Sequence, residues 1–321
     1  MTIDAQPSHY DTYYKAYAGM PVFCGLSGEN EDEPLPEDAG AVAWKLEASE
    51  FNDDLPAEIT ETFDWFFDNV DTAKVKAIVI GEWESSYETS NAPIIERLAA
   101  SADRLPELRS VFVGAMSPEQ SEISWIQQSD VTPLLEAYPK LERLEVRGGS
   151  GLAFPPVRHE SLRVLRFETG GLPAEVVRGV GDSDLPALEH LELWFGVDEY
   201  GGDSTAADVA GILSGERLPA LRYLGLQNCP YADELAAAVA AAPVVARLEA
   251  LSLSMGSLGN DGAEALLSGQ PLNHLRRLDL HHNYLSDAMA ERVPAALPGV
   301  EVRLDDRRSR EEDWRYVAVS E

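Results

Sequence analysis

The sequence predicts an α/β leucine-rich repeat solenoid: a curved parallel β-sheet on the concave side, helices and irregular returns on the convex side, and a cap at each end. Three observations predict it. Seven segments share one apolar frame: LPELRSVFV (105–113), YPKLERLEV (138–146), HESLRVLRF (159–167), LPALEHLEL (185–193), LPALRYLGL (218–226), VARLEALSL (245–253) and LNHLRRLDL (272–280). Their first apolar positions, 108, 141, 162, 188, 221, 248 and 275, lie 33, 21, 26, 33, 27 and 27 residues apart, the period of stacked strand-and-return units. Between several of them lie helix signals. One such unit cannot bury enough apolar surface to fold alone; stacked neighbours close a continuous core.

The elements follow in order. Residues 1–71 are expected to be an acidic N-terminal cap and loop. Between Glu29 and Asp71 there are 15 acidic residues against one basic residue, Lys45. ENEDEPLPED (29–38) reads as a solvated, self-repelling loop. Residues 57–71 read as an amphipathic helix with Ile59, Phe63, Phe66, Phe67 and Val70 on or near one face. Tyr10, Tyr13, Tyr14 and Tyr17 also sit at helical spacing, read as packing of a cap rather than as a ligand stack.

The solenoid is expected over 72–304. VKAIVI (75–80) fits the frame one unit early, and LPGVEVRL (297–304) fits it loosely at the end. In the early strands the residues facing the concave side are Ala77, Val79, Ser110 and Phe112. These are too apolar to face water, so the N-terminal segment is expected to cover them. DELAAAVAAAP (233–243), NDGAEALLSG (260–269) and SDAMAERVPAAL (286–297) read as return helices, with Asn260 or Asp261 and Ser286 as caps. The shorter units around 141–167 are expected to use tighter returns. Residues 305–321 are expected to be a capping tail, with Trp314, Tyr316, Val317 and Val319 sealing the last repeat.

Charge and motifs bound the function. With 25 basic and 56 acidic residues the net charge is −31, which opposes nucleic acid and anionic membrane surfaces. No apolar run reaches a membrane span, the N-terminus lacks a signal-peptide pattern, and Cys24 and Cys229 form no disulfide framework. A cytoplasmic location is expected. There is no phosphate-binding loop, nucleophile elbow or HExxH motif, and no catalytic, metal or cofactor residue is assigned. The glycine turns RGGSGL, ETGGLP and EYGGDS stand where a repeat must turn. Cys229 stands where repeats bond their own loop. Glu122, Trp125 and Asp130, in SEISWIQQSD (121–130), either touch a partner or pack on the convex side.

The frame also assigns the outward concave row: Arg143, Glu145, Arg147; Val164, Arg166, Glu168; His190, Glu192, Trp194; Tyr223, Gly225, Gln227; Ala250, Ser252, Ser254; Arg277, Asp279, His281. Charge-mixed residues with Trp194 and Tyr223 as aromatic anchors are what binding surfaces favour. A solvated sheet with cross-strand ion pairs, such as Arg147 beside Glu168, is the bland alternative. The adjacent His281 and His282, close to Asp279, raise a competing reading, an enzyme or metal-dependent protein with a site there. Successive residues of a strand point to opposite faces, so the two histidines are expected to part.

EISWIQQSDVTPLLEAYPKLERLEVRGGSGLAF, ETGGLP and LELWFGVDEYGGD resemble an uncharacterised family of bacterial leucine-rich repeat proteins, over most of the chain from about Val22 to the terminal RYVAVSE. Members are often encoded beside radical S-adenosylmethionine enzymes and an ATP-grasp-like protein. The resemblance implies an accessory role in a biosynthetic or modification system and carries over no site residues. The expected function is a non-catalytic scaffold for a protein or peptide partner.

Overall fold

A computed structural model describes residues 15–24, 34–49, 57–308 and 314–321 of the chain. It divides into two compact units. One runs to Ala153 and takes in His159–Val164; the other comprises Phe154–Arg158 and Leu165 onward. The fold is an α/β leucine-rich repeat array in which mostly parallel strands alternate with returns. Among the described residues no helix is long and apolar enough to cross a membrane.

The first unit opens with a hairpin, β1 (Ala16–Tyr17) and β2 (Met20–Phe23), paired antiparallel. Parallel strands follow: β3 (Ala43–Leu46), β4 (Ala77–Ile80), β5 (Ser110–Val113) and β6 (Arg143–Arg147). Their register stacks Trp44, Ile78, Val111 and Leu144 in one column, and Leu46, Ile80, Val113 and Val146 in the next. These columns are the dry core, every member at most 2 % exposed. The returns are α1 (Ile59–Asn69), α2 (Ala92–Ala100) and α3 (Thr132–Ala137).

The boundary expected at residue 72 is corrected here. β3 already pairs in register with β4, and α1 is the return between them. Its Phe63 and Phe66 are fully buried, with the Phe66 ring 5.6 Å from Trp44. Residues 43–69 are therefore a repeat, not a cap. The cover expected over the apolar outward face is the hairpin. Tyr17 packs 5.9 Å from the Phe112 ring, in a cluster with Ala43, Ala77, Val79 and Ala115, with Met20 and Val22 against it. Val79 and Phe112 are 1 % and 0 % exposed. The tyrosines at 10, 13 and 14, and residues 29–33 of the acidic loop, lie outside the described residues.

The second unit holds β7 (Val164–Glu168, from Leu165 on), β8 (His190–Trp194), β9 (Tyr223–Gln227), β10 (Ala250–Ser252), β11 (Arg277–Asp279) and β12 (Glu301–Arg303). From β8 onward the register stacks Leu191, Leu224, Leu251, Leu278 and Val302. The return helices are α4 (Ala174–Asp182), α5 (Ala210–Ser214), α6 (Ala232–Ala240), α7 (Asn260–Ser268) and α8 (Asp287–Ala296). No helix lies between β6 and β7, the tighter return expected there.

The helix caps differ in source. Ser286 caps α8 through its own hydroxyl, accepting from Met289 N at 3.3 Å. The N-cap of α7 is Gly259, not Asn260 or Asp261. Its open amides are met from the preceding repeat, where Asp233 Oδ1 accepts from Gly259 N (2.7 Å) and Gly262 N (3.0 Å). Buried Asn283 holds its turn through Leu280 O (2.7 Å) and Leu285 N (3.1 Å). Cys229, one residue further along its own strand end than Asn228, is 1 % exposed, and burial pushes its thiol well up from the ordinary range. In SEISWIQQSD, Asp130 Oδ1 accepts from the backbone N of Thr132, the first residue of α3, at 2.9 Å, while Trp125 stays 54 % exposed.

The tail does not seal the last repeat as expected. Trp314 and Tyr316 are 73 % and 58 % exposed. Instead the backbone runs back across earlier turns. Tyr316 N donates to Tyr284 Oη (2.7 Å), Ala318 N to Met255 O (2.8 Å) and Val319 N to Asn228 Oδ1 (2.9 Å). Tyr200 Oη donates to the Glu321 side chain. Asn228, Met255 and His282 all have left-handed backbones (φ 55°, 65° and 51°), so each repeat bends at the same place and offers a similar ledge. The backbone makes much of the attachment, joined by the Arg315 side chain, whose Nη1 pairs with Asp233 (2.9 Å) and donates to Ser257 O (3.0 Å).

Candidate functional site

The strand register sets the outward row. In the second unit His190 stands opposite Tyr223, Tyr223 opposite Ala250, and Ala250 opposite Arg277. The next rung is Glu192, Gly225, Ser252 and Asp279, and beyond it Trp194 faces Gln227. The leucines between them point into the core, so the alternation of the strand puts this polar set on the other face.

Glu192 is the hub of that face. Its Oε1 accepts from Arg166 Nε (3.0 Å) and Trp194 Nε1 (3.0 Å), and its Oε2 from Tyr223 Oη (3.4 Å). His190 Nε2 lies 3.5 Å away. Arg166 also pairs with Glu168 at 2.5 Å, and Gln227 Nε2 donates to Tyr223 Oη at 2.9 Å. The His190 and Tyr223 rings stack at 4.0 Å and 7°. Gly225 leaves room for this: a Cβ there would lie 3.1 Å from Glu192 Cγ and 2.9 Å from Gln227 Nε2. Burial works against charge on Glu192, but the Arg166 guanidinium, His190 and the Trp194 donor outweigh it and hold the carboxyl at about 2. Burial, then the nearby Glu192 and Asp279 charges, push Tyr223 well above the usual phenol range.

This geometry corrects the expected exposure. Trp194 and Tyr223, expected as protruding anchors, are 2 % and 3 % exposed. Glu168, Glu192 and Gln227 are buried with them, as are Glu145 and Arg147 on β6 in the first unit. There Arg143 Nη1 pairs with Glu145 at 2.7 Å, and the Arg147 carbonyl accepts from Gln128 Nε2 at 2.7 Å. The groups that keep some access are Arg143, Arg166, His190, Arg277, Asp279 and His281.

A second cluster forms on β11 and β12. Asp279 Oδ1 meets His281 Nδ1 at 2.8 Å and its backbone N at 3.1 Å. Asp279 Oδ2 lies 3.5 Å from Arg303 and 3.7 Å from Arg277. Burial opposes the Asp279 charge, and the His281 bonds and Arg303 overcome it, so its carboxyl sits below the usual range. His282 parts from His281 as expected: its ring is 4 % exposed and touches Asp306 (3.2 Å) and Tyr316 O (3.1 Å). Among the described residues no group of three or more His, Cys, Asp or Glu is placed to hold a metal.

Sequence reasoning missed Arg303, because the loose frame at 297–304 gave no outward residues; two residues after Glu301, it falls on the same face. It also missed buried Lys45, paired with Glu47 at 2.6 Å, because β3 was not read as a repeat strand.

No protein-family model matches this chain, and no curated protein matches it. It is similar to the crystal structure of a protein from Bacteroides fragilis, a structural genomics target. The TM-score is 0.73 at 28 % identity, covering 81 % of this chain and 72 % of that one.

Proposed function

We propose that this chain is a non-catalytic leucine-rich repeat scaffold that binds a protein or peptide partner on the outward strand face of its second unit. The observation that supports this reading is the pre-organised polar face around Glu192. Arg166, Trp194, Tyr223 and Gln227 are already fixed by one another, so little side-chain order remains to be lost on association. Trp194 and Tyr223 act as the rigid backing. Contact falls to the accessible Arg166, His190, Arg277, Asp279 and His281, a set with donors and acceptors of both charges. A net charge of −31 favours a basic partner and faster encounter with it. The family resemblance adds an accessory place in a bacterial, cytoplasmic biosynthetic or modification system.

The test is co-purification from the native host. Wild type and the Arg277→Ala/His281→Ala double variant are compared by quantitative mass spectrometry. A partner held on this face drops out of the variant sample while the variant keeps the wild-type thermal midpoint. Equal recovery of every companion by both proteins removes the second unit's face as the binding surface.

A further inference from the structure

None of residues 314–321 is buried, although all are docked on the second unit. What holds them is polar. Tyr284 Oη accepts from Tyr316 N (2.7 Å) and donates to Tyr316 O (3.2 Å). Asn228 does the same for residue 319, its Oδ1 accepting from Val319 N (2.9 Å) and its Nδ2 donating to Val319 O. His282 Nε2 lies 3.1 Å from Tyr316 O, and Ala318 N donates to Met255 O at 2.8 Å. Asn228, Tyr284 and His282 are themselves at most 4 % exposed. They are built into the turns, and their polar ends are aimed at a backbone that passes over them.

The steps match an extended chain. Tyr316, Ala318, Val319 and Glu321 meet successive repeats, at His282, Met255, Asn228 and Tyr200. At about 3.3 Å per residue, such a chain advances roughly 5.5 Å per repeat, close to the ~4.8 Å between neighbouring strands. Backbone groups are common to all peptides, so selection falls to side chains with a seat. Glu321 takes the Tyr200 hydroxyl at the surface. Arg315 has more: the Asp233 carboxylate, the Ser257 carbonyl, and the Tyr284 ring 5.9 Å below its guanidinium. Gly259 leaves the room. A Cβ there would lie 2.7 Å from Arg315 Cζ, and the three atoms nearest to it all belong to that guanidinium. The Gly259 backbone is extended (φ −113°, ψ −168°) and open to other residues, so the need for glycine comes from the arginine.

We infer that this ledge is a binding site for an extended, arginine-bearing peptide segment of a basic partner, and that the chain's own tail occupies it until such a segment displaces it. Ordering the tail costs conformational entropy. Surface hydrogen bonds each return little, and no buried apolar side chain adds to them. A segment held in this way opens readily. The net charge of −31 draws basic segments toward the chain, and Asp233 gives their arginine a paired end point. Trp314 and Tyr316, 73 % and 58 % exposed, leave their rings unread, so an incoming peptide needs no aromatic match there. The ledge lies on the turns at the strand ends, apart from the outward strand face; either surface can fail alone.

The test titrates the isotope-labelled full chain with an unlabelled peptide of sequence WRYVAVSE, that of residues 314–321, and follows the amide NMR signals. Arg315→Glu in the chain sets a second carboxylate against Asp233 and is expected to release the tail, which gives the released positions of the 316, 318 and 319 amides. In the wild type the peptide competes with a tethered tail at an effective concentration on the order of millimolar; in Arg315→Glu it does not. The peptide is expected to bind Arg315→Glu once per chain, roughly tenfold or more tighter than wild type. At high excess it should drive the wild-type tail amides to their released positions. The peptide carrying Arg315→Glu should bind roughly tenfold or more weaker. So should the original peptide when Gly259→Ser, which fills the arginine seat and keeps a good helix cap, is added to the Arg315→Glu chain. A tail still docked in Arg315→Glu, no saturable binding to that variant, equal affinity of variant and wild type, or indifference to either further change overturns the inference. Wild-type dimers that the peptide dissolves would assign the ledge to a second copy's tail instead of a partner.

Discussion

Glu192 shows what a single carboxylate can do when its neighbours come from several repeats. Its carboxyl is held at about 2 against an ordinary 4.5. A depressed acid contributes stability above its unfolded-state pKa and loses it as pH falls through its folded value. The contribution is therefore complete above about pH 4.5 and fades toward pH 2, and is on the order of 3 kcal/mol in this buried setting. Acidification also relieves the repulsion of the −31 charge, which acts in the opposite sense. The clean observable is thus a difference: urea unfolding of wild type and Glu192→Gln from pH 6 to pH 2.5. The stability gap between them should narrow through that acid window; parallel curves would show that the network does not hold the charge. At this scale the sequence was half legible. Alternation placed Glu192, Trp194 and Tyr223 on the outward face correctly. Their burial was not legible, because it arises between strands about 4.8 Å apart, whose side chains shield one another from residues 30 or so positions away.

At the scale of elements, leucine ladders were readable wherever branched aliphatics filled all three positions of the frame. β3 escaped because Ala41 and Trp44 stand in the first two, and α1 was then left without a strand to return from. The β1–β2 hairpin shows the opposite case. Its strands are too short to announce themselves, but the apolar outward residues of β4 and β5 announced that something must cover them. Removing residues 1–24 should uncover Val79, Phe112, Ala43 and Ala77. The expected result is enhanced binding of a hydrophobic dye and self-association by light scattering, with the far-ultraviolet signal of the helices retained. A truncated protein that stays monomeric and dye-silent would mean that another segment covers these residues.

For the whole molecule, composition and repeat period gave the class of fold and the classes of partner opposed by charge. They did not give the row that Lys76, Arg109, Glu142 and Arg163 form through their backbone bonds, since its members lie 33, 33 and 21 residues apart. Nor did they give the path of the tail, whose attachment runs largely through backbone atoms that carry no sequence signature. Cutting the chain after residue 313 removes the hydrogen bonds to Tyr284, Met255 and Asn228. At about 0.5–1.5 kcal/mol each, the loss should lower the urea midpoint of the second unit and speed amide exchange at 228 and 255. An unchanged exchange pattern would show the tail to be a passenger.

That path has a consequence for how the protein folds. Asn228 and Val319 meet across 91 positions. The repeats between them can stack one by one during synthesis, each on the one before, but the clasp over their turns cannot close until residues 315–321 have been made and are free of the ribosome. The turns at Asn228 and Met255 are therefore formed early and fastened late.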